Sequence, residues 1–439
     1  MNRPDLAPWL LIVAITVIYL LVPTRVYYWD GIVFAKAIED ASSLSPALVH
    51  PNHLIYNFAG YIFYKLLRSL GADIRALTAL QILNSLLSAV CARIFFSILF
   101  DTLRSLYHAL CLTALFAFSA TWWKFSTDAN AYIPSVLFLL ICFYLVLPKQ
   151  KARPLLLAVT FFISMAFHQL AIFMWPVLAL GVYLQDGELS IKRRTFNMAY
   201  FSAVAAVLII SSYAYLFYLA SGSSDLQRLL SWTASYSPDA DTGFNLWSNL
   251  RYSLRGHVRL FFGGRFNLLK VNPWLIVLMI GLISVTVLLI FDVLRSLVRR
   301  VALGTFPKLR LGTRQKTVLL LSLVWTFVYV VFLFFWLPQN TFYRLFYLPA
   351  LILLLGLLLV AAPRRAAKPR TLAAFVVAVA LANFLFMIYP YSLEDAPNSG
   401  FTTFSPHTNP KPQTEYSYAS ESNSRRQTNA LTRHSTRTR

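Results

Sequence analysis

Residues 149–194, KQKARPLLLAVTFFISMAFHQLAIFMWPVLALGVYLQDGELSIKRR, decide how this chain is arranged. Cations flank the apolar part on both sides: Lys149, Lys151 and Arg153 before it, Lys192, Arg193 and Arg194 after it. Basic connections of membrane proteins stay on the cytoplasmic side, so two such clusters require an even number of crossings between them. The apolar part therefore reads as a tight pair, Leu155 to Phe167 and Leu170 to Leu184, rather than one long helix. At a rise of 1.5 Å per residue each arm spans only about 22 Å, against a hydrocarbon thickness of about 30 Å. His168 and Gln169 would then cap a hairpin recessed below the outer surface.

Outward from this stretch the composition agrees. The chain is 58% hydrophobic and 13% charged, with mean hydropathy +0.61 over 439 residues, which excludes a soluble globule with a polar skin. Its net charge of +22 comes in bunches between alternate apolar runs. Beyond the two clusters above these are Arg295, Arg299, Arg300, Lys308, Arg310, Arg314 and Lys316, then Arg364, Arg365, Lys368 and Arg370. That is positive-inside patterning, and no aromatic-basic module accompanies it, so nucleic acid is not an expected partner. Cys91, Cys111 and Cys142 lie in apolar runs and read as small buried hydrophobes.

With about 20 residues per span, the expected crossings are Leu6 to Val22, Leu77 to Leu99, Leu106 to Trp122, Ala131 to Leu147, the pair above, Phe196 to Leu219, Pro273 to Leu294, Val318 to Leu337, Leu345 to Ala362 and Leu372 to Tyr389. The expected fold is thus all-α and polytopic, with about eleven transmembrane helices, N-terminus inside and C-terminus outside. The first run has no small-residue cleavage site and reads as a retained anchor. His50 to Leu70 is interrupted by Asn57, Gly60 and Lys65 and reads as an interfacial helix, because a crossing there would turn later basic clusters outward. Residues 1–391 form the expected transmembrane domain, with outer loops 23–75 and 220–272; residues 392–439 lose apolar content and read as a disordered polar tail. No Gly-rich phosphate loop is present, so chemistry is expected at the outer side, on a membrane-carried donor.

The order of features carries a resemblance. One span leads to Trp29-Asp30-Gly31; His50-Pro51-Asn52-His53 then opens an amphipathic segment, two spans follow, and Ser126-Thr127-Asp128-Ala129-Asn130-Ala131-Tyr132 heads the next. Over roughly residues 1 to 190 this resembles the GT-C superfamily of membrane glycosyltransferases, near protein O-mannosyltransferases and aminoarabinose transferases. The resemblance implies a GT-C-like helical module that uses a polyprenyl-phosphate-linked sugar, and a late outer basic residue on the donor phosphate, here Arg344. The family often has a second acid beside the first-loop Asp, whereas the next acids here are Glu39 and Asp40.

The residues support the same chemistry on their own terms. Sugar transfer from a lipid phosphate needs a base for the acceptor hydroxyl and cations or donors for the departing phosphate. Asp30, in partly apolar surroundings at the membrane surface, is expected to be that base, its carboxyl raised toward neutral operation; the bland reading is an Asp-Gly turn. Asp128 is the second catalytic candidate, orienting the acceptor or holding a divalent metal with Asp30, and as a helix cap it has an equal claim. His50 and His53, three apart at the start of the surface helix, would share a face toward a cavity or anchor the interface. His168 lies deep enough to need a polar partner, either donor phosphate or a neighbouring helix. Arg344 can grip a phosphate with two parallel hydrogen bonds or snorkel to headgroups. Arg255, with Arg251 and Arg259, forms one basic stripe of an amphipathic segment that meets headgroups or a donor phosphate; Arg265 and His257 belong with it.

Catalysis by Asp30 and Asp128, with His50, His53, His168, Arg255 and Arg344 binding substrate, is therefore the leading expectation. The acceptor would be a glycan, lipid or protein hydroxyl, the location the lipid bilayer of a bacterial inner membrane, and the cofactor open, a divalent metal being one option. A lipid-linked glycan flippase or transporter is the alternative; it would call for paired mid-membrane charges or broken helices in related halves, and no such internal repeat is visible.

Overall fold

Every apolar run read as a crossing is helical over most of its length in the computed structural model, which describes residues 6–148, 151–185, 189–234, 244–264, 274–302, 311–361 and 369–393. Among the described residues there is no strand. In chain order the helices are α1 (Leu6–Leu21), α2 (Trp29–Asp40), α3 (Tyr56–Ser69), α4 (Ala76–Leu103), α5 (Leu106–Phe118), α6 (Ala120–Ser126), α7 (Tyr132–Leu145) and α8 (Pro154–Phe167). A 3-10 stretch, Gln169–Met174, runs into α9 (Trp175–Gln185), followed by α10 (Ile191–Ser221), α11 (Leu226–Ala234), α12 (Leu246–Phe261), α13 (Trp274–Ala302) and α14 (Thr313–Trp336). A 3-10 turn, Phe342–Phe346, precedes α15 (Leu348–Ala361) and α16 (Pro369–Asn383), which continues through a π-helical stretch to α17 (Tyr389–Leu393).

Four of these segments are long and apolar enough to cross a membrane: Ala76–Leu103, Ile191–Ser221, Thr313–Trp336 and Arg370–Leu393. The bent pair α5–α6, turned by 66° at Ser119, makes a fifth if it is one span. Most of the other runs read as crossings form shorter apolar helices, α7, α8 and α15 having only 14 residues each. Among the described residues the protein is accordingly all-helical, with four to five segments that have the length and composition of a membrane span, while several further apolar runs end early in caps, 3-10 turns or a bend. Basic residues Lys149, Lys308, Arg310, Arg364, Arg365 and Lys368, Arg265 of the third outer loop, and the expected tail from residue 394 onward lie outside the described residues.

The local causes are readable. Glu39, near the end of α2, accepts from both Arg75 nitrogens (2.8 and 2.7 Å) and from the Ala76 N–H (2.8 Å), so a carboxylate from another helix caps α4. Asp40 pairs with exposed Lys36 one turn earlier. Ser190 caps α10, Asn245 caps α12, and Gly222 ends α10 at φ 67°, a left-handed conformation suited to glycine. α3 buries Tyr56, Asn57, Gly60, Tyr61 and Tyr64 against the bundle and exposes Ile62, Leu66 and Leu70, which is the geometry of a surface helix. α12 buries Ser253, Gly256 and Leu260, exposes Trp247, Leu254 and Val258 along one side and presents exposed Arg251, Arg255 and Arg259 along another.

α4 is the hub, packing against α1, α2, α3, α5, α6, α7, α14 and α15. Its first turns hold one end of the bundle together: Gln81 Nε2 donates to Thr24 O (2.8 Å) and Thr127 O (3.0 Å), and Asn84 Nδ2 donates to Asp128 O (2.7 Å) and Asn130 O (2.9 Å). At its far end Asp101 meets Arg314 (3.5 Å) and Thr102 O accepts from Gln315 (3.1 Å). Lys151 and Arg193 line one common cleft where α8 and α10 begin. The clusters at the two ends of residues 149–194 therefore come together at one end of the helices, as an even number of passes requires.

Candidate functional site

Of the residues singled out in the sequence, Asp30, Asp128, His50, His53 and His168 gather where α2 and α7 begin and α8 ends. Asp30 lies in the first turn of α2, not in an Asp-Gly turn. Gly31 explains its position: a Cβ there would fall 2.3 Å from Ala129 O and 2.9 Å from Ala129 Cβ, so only glycine lets α2 sit against the 127–131 loop. Asp30 is half-buried, and its Oδ2 accepts from the Tyr28 hydroxyl at 2.7 Å. That hydroxyl is 2.8 Å from the Tyr132 hydroxyl, so carboxylate and two phenols form one hydrogen-bonded chain. Burial pushes the Asp30 carboxyl above its ordinary value, and the Tyr28 hydrogen bond opposes the shift.

Asp128 proves to be different in kind. It is fully buried, and both its oxygens are taken: Oδ2 accepts from Lys124 Nζ (2.7 Å) and the Tyr28 N–H (2.9 Å), Oδ1 from the Ala129 N–H (2.8 Å). Lys124 is itself buried, 4.6 Å over the Phe125 ring. Burial raises the Asp128 carboxyl, while the Lys124 charge and the two N–H donors hold it down. This acid fixes the backbone at Tyr28 and the 124–130 loop together, and it has no free oxygen for an acceptor. A cation beside it would have to displace the Lys124 ammonium, so the residues do not fit a metal shared by Asp30 and Asp128. Among the described residues no group of three His, Cys, Asp or Glu is placed to hold one.

The three histidines do meet. His50 and His53 sit in the irregular stretch ahead of α3 rather than on its first turn, because the helix begins at Tyr56. Their rings stack at 5.2 Å, and His53 meets His168 edge-on at 4.7 Å. His168 in turn lies 4.9 Å from the Tyr132 ring and 5.1 Å from Phe346. Hydrogen bonds set the tautomers. His53 Nδ1 faces the Phe167 carbonyl (3.1 Å) and must carry a proton; His168 Nδ1 accepts from the Leu170 N–H (3.1 Å), so its proton is on Nε2. Burial drives His50 down to about 4 and His53 to about 3, which keeps both neutral at physiological pH.

Arg344 sits in the turn whose Phe342 packs on Tyr28 (5.2 Å) and Tyr132 (5.3 Å). It does not reach outward to headgroups: the side chain is 1% exposed and its guanidinium donates to Asn340 O (2.7 Å), Pro338 O (2.7 Å) and Ser253 O (3.3 Å). No carboxylate is among those partners and its Nε has none, so burial lowers its proton affinity. Gly256 makes room for it, since a Cβ there would fall 2.6 Å from the guanidinium. Next to it His257 joins Ser253 O (2.8 Å) to the Tyr347 hydroxyl (3.0 Å). Arg344 clasps α12 to the 338–344 turn, while Arg255 stays exposed on the outside of the same helix.

Three participants were missed in the sequence. Tyr132 stood inside one quoted motif and Tyr28 one position ahead of another, but they are 104 positions apart, with nothing to pair them. Lys124 was in plain view, one helical turn before Asp128. Compared with protein-family models, with curated proteins and with solved structures, the chain finds no match in any of the three.

Proposed function

We propose that the chain is a membrane glycosyltransferase of GT-C type that moves a sugar from a polyprenyl-phosphate donor to an acceptor hydroxyl at the outer face of a bacterial inner membrane. The acceptor is a glycan, lipid or protein, and Asp30 is the general base. About eleven passes, with the basic connections in the cytoplasm, give the corresponding orientation. Opposite ends of α4 carry Asn84, bonded to the 128–130 backbone, and Asp101, paired with Arg314, which agrees with a basic cytoplasmic end and a site at the other.

One observation carries the reading: Asp30 combines an elevated carboxyl, a fixing hydrogen bond from Tyr28 and an Oδ1 with no partner among the described residues. The other acid, Asp128, is tied up, and His53, held near 3, is too weak a base for neutral operation. Asp30 Oδ1 takes the proton of the acceptor hydroxyl as that oxygen bonds to the anomeric carbon. The bond from that carbon to the phosphate oxygen breaks, and the polyprenyl phosphate leaves with its electron pair. The Nε2–H of His168 is the neutral donor toward the sugar or phosphate, and the Arg251, Arg255 and Arg259 stripe supplies cations at the surface.

Transfer of a radiolabelled sugar from polyprenyl phosphate in proteoliposomes tests this. Asp30→Asn should lower the rate by roughly 10² to 10⁴, the usual worth of a positioned base, with wild-type thermal unfolding. Full activity in Asp30→Asn rejects the base. No transfer by the wild-type protein with any supplied donor rejects the enzyme and returns the flippase reading.

A further inference from the structure

At the far end of α8 from His168, some 21 Å away for a helix of 14 residues, lies a second polar cleft. It has a volume of about 470 Å³, and its floor and walls include Lys151, Pro154, Arg193, Phe196, Asn197 and Tyr200. Three features set it apart from an ordinary basic connection. First, Lys151 and Arg193 come from connections 42 positions apart in sequence and converge here, with no carboxylate bonded to either among the described residues. Second, α8 starts at Pro154 and α10 at Ile191, so two helix N-termini with their partial positive charge border the same space. Third, Asn197 is 7% exposed, lines the cleft, and its carboxamide has no hydrogen-bond partner among the described residues. The amide therefore opens onto the cleft with its donor and acceptor available to a ligand oxygen or hydroxyl.

We infer that this cleft is a binding site for the phosphodiester headgroup of an anionic glycerophospholipid. Lys151 and Arg193 meet the phosphate charge, and the Asn197 Nδ2 donates to a phosphate or glycerol oxygen. Phe196 and Tyr200, exposed along the same face of α10, offer an apolar wall to the first acyl carbons. Inorganic phosphate shares the charge but not that wall, and a zwitterionic lipid shares the wall but carries an ammonium that the two cations repel. The inference does not depend on the catalytic reading.

Native mass spectrometry of the full-length protein released from micelles with phosphatidylglycerol, phosphatidylcholine or inorganic phosphate decides it. The expected result is a retained phosphatidylglycerol adduct, held at least about tenfold more tightly than phosphatidylcholine. It should weaken roughly thirtyfold in Lys151→Ala/Arg193→Ala, the loss of two headgroup-level cations, and severalfold in Asn197→Leu. Because both cations are exposed, the double variant is expected to unfold at the wild-type temperature, which keeps the experiment decisive even if Asn197→Leu misfolds. Equal retention of the two lipids, an adduct unchanged in the double variant, or capture of inorganic phosphate without phosphatidylglycerol would each overturn the site.

Discussion

Replacing Lys124 with Met tests whether Asp128 belongs to the scaffold or to the chemistry. In the folded protein Asp128 is buried with 0% exposure, its carboxylate balanced by one ammonium at 2.7 Å and two backbone N–H groups. Methionine keeps the length and apolar contacts of the lysine stem and removes only the charge. Breaking a buried pair from one side usually costs about 3–5 kcal/mol. Protonation of Asp128 limits the loss, and the sign follows. The Lys124 charge holds the Asp128 carboxyl down against burial, so its removal raises that carboxyl further. A raised folded-state pKa gives stability that is complete below the unfolded carboxylate range and is lost as pH rises through the folded value. Lys124→Met should therefore be closest to wild type in acid and fall away as the pH climbs. Urea unfolding in mild detergent across pH 4 to 8 measures it, with Lys124→Met/Asp128→Asn completing the cycle. The double variant should recover at least about half of the loss at pH 7, because the uncompensated charge is gone. A pH-independent cost, or a double variant no better than the single one, would refute the pairing as the reason for the lysine.

Three other outcomes are expected. Gly31→Ala puts a methyl group into the Ala129 carbonyl and should cost about 1–3 kcal/mol of stability and lower transfer through displacement of Asp30, read by unfolding and by single-turnover rates. Tyr28→Phe removes the hydrogen bond that opposes the elevation of Asp30, so the acid limb of the transfer pH profile should move to higher pH; an unmoved limb would separate Asp30 from the titrating base. Arg344→Met leaves the Asn340, Pro338 and Ser253 carbonyls without their donor and should destabilise by at least about 2 kcal/mol, with Gly256→Ala giving a smaller loss of the same kind in thermal unfolding.

How far the sequence could carry this is plain at particular residues. The apolar runs marked helices because twenty-residue hydrophobicity is a local property, and cations at Lys151 and Arg193 marked one end because charge is read without geometry. The bend at Ser119 carried no proline or glycine, so a single span seemed natural from Leu106 to Trp122. The histidines were singled out individually for depth and spacing, yet the contact of His53 with His168 depends on α8 and the stretch before α3 arriving at the same place, and periodicity holds no such information. Arg344 looked like a headgroup cation because its turn sits at the end of a span; its burial comes from α12 folding over it, which only the packing of Gly256 reveals. Asp128 stayed divided between cap and catalytic acid, because a carboxylate beside a helix start looks the same whether it faces a substrate or a lysine one turn away.

The brevity of α7, α8 and α15 has a consequence for the surrounding lipid. Segments of 14 residues measure about 21 Å, some 9 Å short of an average hydrocarbon slab. In the proposed topology, where these segments cross, a bilayer around them would dimple, drawing its glycerol backbones and hydration inward on at least one side, at a cost of a fraction of a kcal/mol per Å. Under the proposed function, such a depression would lower the polyprenyl-phosphate donor toward the imidazoles without asking the protein to lift it out of its leaflet.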